Sequence, residues 1–414
     1  MKVIFLVDSI PNIDMFFPII KEFPAGCEGL VVNLDRWAKQ IEIENKLQEY
    51  DIKYQTISGW KRSDVNKILT EMQPSVIVMS HDATIPVDPI FIKCAKAMGI
   101  PVLYVPHGMI VSQSWTGLNA EGFWNWLLYF KMAVLGAYRL MQQGKVSRKR
   151  IIETGWMWIK YTFRHKMEAH GEWTKTAVFG DDAKQNLISV GTNPNRIVVT
   201  GNPKFDYIFK FKHTACKAKI CKKYHIKKGM DIILLLTDYL VECGQWKVNQ
   251  RTVFVKAICE AVERLFPCSK LVIKLHPVAE KVSDYQAITK GFSNQSVICQ
   301  NEPLWELLHT CRLVITIGSG AGLEAMAAGK PLVIFNPFND KTPFDEASGA
   351  IVVKDKEDLL PKLKVVFSCG LSKGKKKVMD RFVYDHAYLQ DGKAAKRIAD
   401  LIVRMAVESK DMNL

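Results

Sequence analysis

The chain has 414 residues, of which 48% are apolar and 24% are charged, and its formal net charge at pH 7 is +15. This length predicts two domains, each with its own core, and the excess of lysine and arginine favours anionic partners such as nucleotide phosphates, nucleic acid or an acidic membrane face. The sequence has no window of the roughly 18 to 20 apolar residues that span a bilayer, and its cysteines form no CxxC pair, which argues against a zinc site and for reduced thiols in the cytoplasm.

The N-terminal part of the chain alternates apolar runs with helical segments. Its first residues, MKVIFLVDSIPN, contain one lysine and too short an apolar run for a secretion signal, so we expect a buried strand there. Helices are predicted at NKLQEY and DVNKILTEM, and strands at KVIFLVDS, LVVNL, VIVMSHD and PVLYVPHG. This alternation predicts a first α/β domain at residues 1–205, with a parallel sheet covered on both faces.

An aromatic and basic segment lies within this domain at residues 123–150. Its apolar part, FWNWLLYFKMAVLGAYRLM, contains Lys131 and Arg139, and more basic residues follow at once. Aromatic residues flanked by cations are typical of helices that lie in a membrane interface. The sequence leaves three interpretations open: a segment in peripheral contact with a membrane, a core helix of the first domain, and a helix that covers a protein interface.

The second half of the chain begins with a basic run at residues 206–228, which is predicted to be a solvated linker. A second α/β domain is predicted at residues 229–380, and a helical segment closes the chain at 381–414. The second domain's strands are predicted at IILLL, LVIKL, SVICQ, LVITI, PLVIF and a short run near Ile351.

The most informative stretch runs from Cys311 to Asn339 and reads strand, small-residue turn, helix and strand. The glycines of its GSGAG turn are expected to let the backbone turn sharply and to bring N–H groups close to a ligand. A glycine-bearing turn at a helix N-terminus favours anions, so the pattern predicts a site for a phosphate or diphosphate. The alternative is a tight turn that binds nothing. Glu324, early in the helix, either interacts with the helix dipole or accepts hydrogen bonds from ribose hydroxyls.

Parallel sheets place their chemistry at the carboxyl ends of the strands. In the second domain this rule selects Thr237, Asp238, His276 and the turn at Ser319. His276 follows a buried strand that Pro277 ends, so its imidazole is expected to donate to a phosphate oxygen, with Lys274 adding charge on the same side. A structural histidine that caps a loop is the alternative.

In the first domain the same rule selects His81, Asp82, His107 and Gly108. Histidine has a pKa close to neutral, which suits a general base that removes a proton from an acceptor hydroxyl. His107 is therefore a candidate base, and Asp82 either orients it or is the base itself. In VTGNPKFD, Lys204 is expected either to face the ligand or to belong to a simple interdomain turn.

The order of these motifs resembles the GT-B superfamily, which implies two facing Rossmann-like domains with a nucleotide-sugar site in a central cleft. The nearest pattern is that of the non-hydrolysing UDP-N-acetylglucosamine 2-epimerases. SVIVMSHDAT resembles their His-Gly-Asp-Thr segment, RIVVTGNPKFD resembles their Val-Thr-Gly-Asn segment, and TIGSGAGLEAMAAGKPLVIFN resembles their phosphate turn and helix.

The chain departs from that family in its carboxylates. The epimerases have an acidic residue where this chain has His107, and paired glutamates where it has only Glu324. The chain also resembles bacterial sialyl-, Kdo- and glycerophosphotransferases, through His276–Pro277 and the turn at Ser319. That resemblance implies that these groups hold the phosphates of a CMP or CDP donor.

The sequence thus predicts a metal-independent GT-B glycosyltransferase, without a cofactor, that acts in the cytoplasm or at the inner face of the membrane. It would transfer a sugar from a CMP-, CDP- or UDP-linked donor to a cell-surface glycan or lipid-linked acceptor. The alternatives are a UDP-GlcNAc-type 2-epimerase and a CDP-glycerol-type glycerophosphotransferase, while nucleic-acid binding is disfavoured because no recognised motif is present. The expected donor-binding residues are Thr237, Lys274, His276, Gly318, Ser319, Gly320, Ala321, Glu324 and Lys204, and the expected catalytic residues are His107 and Asp82.

Replacement of Trp124 and Trp126 by alanine tests the membrane interpretation. If the segment lies in a membrane interface, the wild-type protein should float with liposomes that contain anionic lipid, and the double variant should float less because the aromatic anchors are lost. Absence of flotation, or flotation that the substitutions leave unchanged, contradicts the membrane interpretation.

Overall fold

The computed structural model describes residues 1–34, 40–57, 61–80, 88–106, 173–189, 191–210, 213–227, 229–277, 280–292 and 296–411. The chain divides into two compact units, one formed by Met1–Lys204 with Lys393–Leu414 and the other by Phe205–Gly392. The predicted membrane-contact segment and the predicted catalytic residues Asp82 and His107 lie outside the described residues, as do His81 and Gly108.

The described residues of the first unit form a sheet of seven strands, all paired in parallel. They are β1 (Lys2–Val7), β2 (Glu28–Asn33), β3 (Tyr54–Thr56), β4 (Val76–Met79), β5 (Val102–Tyr104), β6 (Lys175–Val178) and β7 (Ile197–Val199). Their order in the sheet is β3-β2-β1-β4-β5-β6-β7. The strands predicted from the four apolar runs are confirmed as β1, β2, β4 and β5. The sequence did not indicate β3, because this three-residue edge strand has no apolar run.

Both faces of this sheet are buried. In β1, Val3 and Phe5 belong to one core cluster, whereas Ile4 and Leu6 belong to another. A continuous apolar run is the pattern expected of a strand that is covered on both sides. The first cluster includes residues of helices Ile10–Lys21 and Gln40–Glu49, and the second includes residues of helices Arg62–Met72 and Asp88–Ala97. Helix Asp181–Ser189 packs near β6 and β7.

The last helix, Ala394–Asp411, belongs to the first unit although the second unit precedes it in the chain. Ile398 and Ile402 are fully buried and join the same core cluster as Val3. Arg397 Nε donates a hydrogen bond to the carbonyl oxygen of Thr200 at 2.7 Å. The first unit therefore needs both ends of the chain to complete its core.

The second unit contains six parallel strands. They are β8 (Asp231–Leu236), β9 (Ser269–Lys274), β10 (Ser296–Cys299), β11 (Leu313–Thr316), β12 (Leu332–Phe335) and β13 (Ile351–Val353), and the strand predicted near Ile351 is confirmed as β13. Their order is β10-β9-β8-β11-β12-β13. The helices of this unit are Asp206–Lys210, His213–Lys223, Val248–Leu265, Val282–Thr289, Leu304–Thr310, Ala321–Ala327, Lys356–Cys369 and Lys373–Ala387.

Ion pairs hold part of the basic run at 206–228 against the second unit. Lys219 Nζ lies 2.6 Å from Glu306 Oε1, and Lys223 Nζ lies 2.5 Å from Glu302 Oε1. Both carboxylates are buried, whereas both lysines remain largely exposed. The helix His213–Lys223 is therefore fixed by charge pairing to the region around helix Leu304–Thr310.

The substitution Ile398→Ala tests the contribution of the last helix to the first unit. Removing a fully buried side chain should lower the free energy of unfolding by about 2 to 4 kcal/mol, measured by urea unfolding. Val407 lies on the same helix with 54% of its surface exposed, so Val407→Ala should change stability by less than about 0.5 kcal/mol. Equal losses for the two variants would contradict the packing described above.

Candidate functional site

The order of the strands in the second sheet reverses at β8, which lies between β9 and β11. Ligands of open parallel sheets bind outside the carboxyl ends of the strands at such a reversal. Leu236, the last residue of β8, pairs with Lys274 of β9 and with Thr316 of β11. The segments that follow these three strands therefore begin at one edge, and the ends of β9 and β11 are about 10 Å apart at the usual strand spacing.

The turn after β11 contains the predicted residues Gly318, Ser319 and Gly320. The N–H groups of Gly318 and Ser319 donate to Thr316 Oγ1 at 3.4 and 3.3 Å, which is longer than a typical N–H···O bond of about 2.9 Å. A charged phosphate oxygen accepts more strongly than a neutral hydroxyl and would compete for these groups. The helix that follows begins at Ala321, whose N–H has no acceptor inside the helix.

The glycines of this turn are required for a different reason from the one that the sequence suggested. None of them has a positive φ, so the turn does not depend on left-handed backbone. A Cβ atom at Gly318 would lie 2.8 Å from Thr342 Oγ1, and one at Gly322 would lie 2.8 Å from the ring of Phe344. At Gly320, by contrast, a Cβ would meet no atom within 4 Å. Two of the glycines therefore permit close packing, and the third leaves open space beside the turn.

The second predicted element is the loop after β9, where His276 is contacted from three directions. Its backbone N–H donates to Glu280 Oε2 at 2.6 Å, and its carbonyl oxygen accepts from Gln300 Nε2 at 3.0 Å. The imidazole ring packs against the half-exposed ring of Tyr239, with 4.5 Å between the ring centroids. This half-buried histidine is therefore fixed by its backbone and its ring together.

Glu280 is a buried carboxylate that sequence reasoning missed, because no spacing rule marks a glutamate four residues after a histidine. Only 4% of its surface is exposed. Besides the His276 N–H, it accepts hydrogen bonds from the hydroxyls of Thr237 and Tyr285. Burial raises the pKa of Glu280, while these donors act in the opposite direction. Thr237, a predicted ligand, thus has its hydroxyl engaged within the protein.

Lys274 lies at the same edge, but its ammonium group is already bonded. Its Nζ donates to the carbonyl oxygens of Gln300 at 2.7 Å and Leu275 at 3.1 Å. Burial lowers the pKa of Lys274, and the nearby charge of Glu324 favours its protonated form. Glu324 is half-buried on helix Ala321–Ala327, which follows β11.

Two further predicted positions have local environments of their own. Asp238 is half-buried next to Thr237, where burial raises its pKa and its carboxylate accepts the Tyr239 N–H at 2.9 Å. Lys204 belongs to the first unit, where its charge lowers the pKa of Asp14 against the effect of burial, which raises it.

Within the described part of the chain, no three His, Cys, Asp or Glu side chains converge in a way that would hold a metal ion. No helix in the same residues has the length and apolar character needed to cross a membrane. At the second sheet's edge, the N–H groups of the Ser319 turn and the imidazole of His276 are the groups that suit an anion, while the nearby Glu280 carboxylate accepts hydrogen bonds from within the protein.

Glu280 and Glu302 should contribute to stability with opposite dependence on pH. The pKa of Glu280 in the folded state is raised above 4.5. Its contribution to the free energy of unfolding is therefore fully present below pH 4.5 and is lost as the pH rises through the folded-state pKa. Burial would also raise the pKa of Glu302, but hydrogen bonds from Lys223 and Tyr224 outweigh burial and lower it. The contribution of Glu302 is therefore present above 4.5 and is lost as the pH falls through its folded pKa.

We expect the stability of the wild type relative to Glu280→Gln to increase as the pH falls from neutral towards 4.5. The stability of the wild type relative to Glu302→Gln should instead decrease as the pH falls below 4.5. Urea unfolding across a pH series measures both stability differences. If both differences changed in the same direction as the pH falls, the environments described here would be contradicted.

A family model described as UDP-N-acetylglucosamine 2-epimerase matches residues 139–403, well over half of the chain. Among sequence relatives, the processive diacylglycerol β-glucosyltransferase of Bacillus pumilus is 27% identical over 210 residues, which is 47% of this chain and 50% of the relative. The Bacillus subtilis protein of the same name is 25% identical over 202 residues, with 47% and 50% coverage. The chain spans about half the length of the curated relatives it matches.

Solved structures of similar fold cover nearly the whole chain. UDP-GlcNAc 2-epimerase from Neisseria meningitidis, bound to UDP-GlcNAc, is similar with a TM-score of 0.63 and 15% identity, covering 99% of this chain and 100% of that one. The wall teichoic acid polymerase TagF is similar with a TM-score of 0.60 and 12% identity, covering 98% and 89%. Together with the two parallel sheets, these similarities confirm the predicted GT-B fold of two Rossmann-like domains.

Proposed function

This chain belongs to the UDP-N-acetylglucosamine 2-epimerase family, and we propose that within it the protein is a glycosyltransferase that uses a nucleotide-sugar donor. The observation that carries the proposal is the convergence of the His276 loop and the Ser319 turn at the edge where the strand order reverses. The two elements approach this edge from the strands on either side of β8. A nucleoside diphosphate is long enough to contact both, because the ends of those strands are about 10 Å apart.

In the proposed reaction, the oxygen of the acceptor hydroxyl attacks the anomeric carbon of the donor sugar. The bond from that carbon to the phosphate oxygen breaks, and a base takes the hydroxyl proton. The N–H groups of Gly318, Ser319 and Ala321 and the imidazole of His276 would stabilise the charge that develops on the leaving phosphate. His107 or Asp82 of the first domain would be the base.

The absence of carboxylates that the epimerases have favours transfer over epimerisation. The epimerases have an acidic residue and paired glutamates at positions where this chain has His107 and a single Glu324, so this chain has fewer carboxylates for removing and returning a proton at a sugar carbon. The sequence relatives named as diacylglycerol glucosyltransferases support the same choice. They also support a lipid-linked acceptor, which agrees with the basic, aromatic character of residues 123–150.

A 2-epimerase acting on UDP-GlcNAc is the second candidate, because the family model and the Neisseria structure carry that description. A glycerophosphotransferase that uses CDP-glycerol is a third, supported by the likeness to TagF, whose structure was obtained with CDPG. All three candidates share the diphosphate site and differ in the reaction. We place the protein in the cytoplasm, in peripheral contact with the membrane that carries its acceptor.

Nucleotide binding tests the shared site. We expect CMP, CDP, UDP or GDP, in a thermal-shift screen followed by calorimetric titration, to stabilise the wild type, and His276→Ala to weaken the best ligand about tenfold or more. Gly320→Ala should also weaken binding, because the new methyl group enters the open space beside the turn. Gly374→Ala is the matched control, since Gly374 also has open space but lies on helix Lys373–Ala387. Unchanged affinity in both site variants would refute the site.

Incubation with a UDP-N-acetylhexosamine in the absence of acceptor separates the reactions. A transferase should leave the donor mostly intact, whereas an epimerase should produce the C2 epimer, which proton NMR detects directly. Formation of the epimer at a catalytic rate would overturn the transferase assignment in favour of the second candidate.

A further inference from the structure

The Glu280 carboxylate joins the segments that follow two neighbouring strands. Its Oε2 accepts from the backbone N–H of His276, after β9, and from the hydroxyl of Thr237, after β8. Its Oε1 accepts from the hydroxyl of Tyr285 on helix Val282–Thr289. One side chain therefore determines how the β9 loop lies against the end of β8.

We propose that Glu280 is a positioning residue for the nucleotide site, which holds the His276 imidazole where it meets the donor phosphates. The inference rests on the proposed function, because it takes His276 as a phosphate ligand. Glu280 acts through His276 and contacts no substrate itself.

The arrangement around His276 supports this role. Its N–H is bonded to Glu280, its carbonyl oxygen is bonded to Gln300 Nε2, and the same amide also donates to the carbonyl oxygen of Glu280 at 2.8 Å. Both peptide groups that flank the histidine are thus fixed. The direction of the imidazole then depends on this backbone and on the packing of the ring against Tyr239.

A second layer of charge keeps the supporting groups in place. The Arg251 guanidinium lies 5.2 Å from the centre of the Tyr285 ring and pairs with Glu242 at 2.6 Å and Asp284 at 3.1 Å. Tyr285 is thereby packed beneath a cation while it donates to Glu280. Burying a carboxylate costs free energy unless hydrogen-bond donors surround it. If position 280 only filled space, an apolar side chain would do so without that cost. The carboxylate instead supplies the acceptors that fix the loop.

Alanine and conservative variants test the proposal against a matched control. Glu280→Ala should weaken nucleotide binding on the order of tenfold, because the His276 loop loses its buried acceptor. Glu280→Gln keeps an oxygen for the His276 N–H and should bind nucleotide within about threefold of the wild type. Glu306→Ala removes an equally buried carboxylate of the same unit, one that pairs with Lys219, and should leave affinity unchanged.

A double-mutant cycle separates positioning from general destabilisation. If Glu280 acts through His276, then Glu280→Ala should weaken binding little further in a His276→Ala background. Additive losses of affinity would overturn the proposal. The imidazole resonance of His276, assigned by comparison with His276→Ala, supplies a readout that needs no nucleotide. It should shift in Glu280→Ala and stay unchanged in Glu306→Ala.

The outcomes distinguish this proposal from the proposed function. A wild type that binds no nucleotide refutes the function, while the His276 resonance still shows whether Glu280 sets that side chain. An unshifted resonance in folded Glu280→Ala refutes the positioning role even if nucleotide binds. Where Glu280→Ala does not fold, Glu280→Asp keeps the charge but withdraws the carboxylate by one methylene. It should then shift the resonance and weaken binding, and an unaltered resonance would again refute the role.

Discussion

The parallel pairing of β8 with both β9 and β11 is the constraint on which the rest of the second unit's chemistry depends. Leu236 pairs on both sides, so the segments after three strands must begin at the same edge. The β8 and β11 strands are continuous apolar runs that are buried on both faces, so burial of their side chains stabilises the sheet and with it the common edge at which the strands end. Burial of the apolar strands therefore determines where the polar residues at their carboxyl ends lie.

Hydrogen bonding then decides which of those polar groups are engaged within the protein. Thr237 and Lys274 lie at the edge, but their side chains bond to Glu280 and to backbone carbonyls. Satisfying buried donors internally avoids the cost of leaving them unpaired. The N–H groups of Gly318 and Ser319 make long hydrogen bonds to Thr316 Oγ1, and His276 is half-buried. These two elements are therefore better suited to meet an anion than the lysine is.

The family to which the chain belongs shows how little of a reaction a fold determines. The similar structures include a UDP-GlcNAc 2-epimerase and a teichoic acid polymerase, and the sequence relatives are glucosyltransferases. The same fold is therefore found in proteins named for different reactions. Under the proposed function, the groups that would meet the sugar make the choice among them, so the differences at His107 and Glu324 carry more weight than the shared motifs.

The sequence by itself determined the α/β class, most of the strands, the two motifs at His276 and Ser319, and the likeness to the GT-B superfamily. These features are local, since an apolar run or a glycine turn is visible within a few adjacent residues. Only the tertiary structure decided that the last helix completes the first unit, that Gly318 and Gly322 permit close packing, and that Glu280 holds His276. The first two features depend on which residues distant in sequence come into contact. The third depends on the side-chain conformation of Glu280 within its loop. Neither can be read from a few adjacent residues of the sequence.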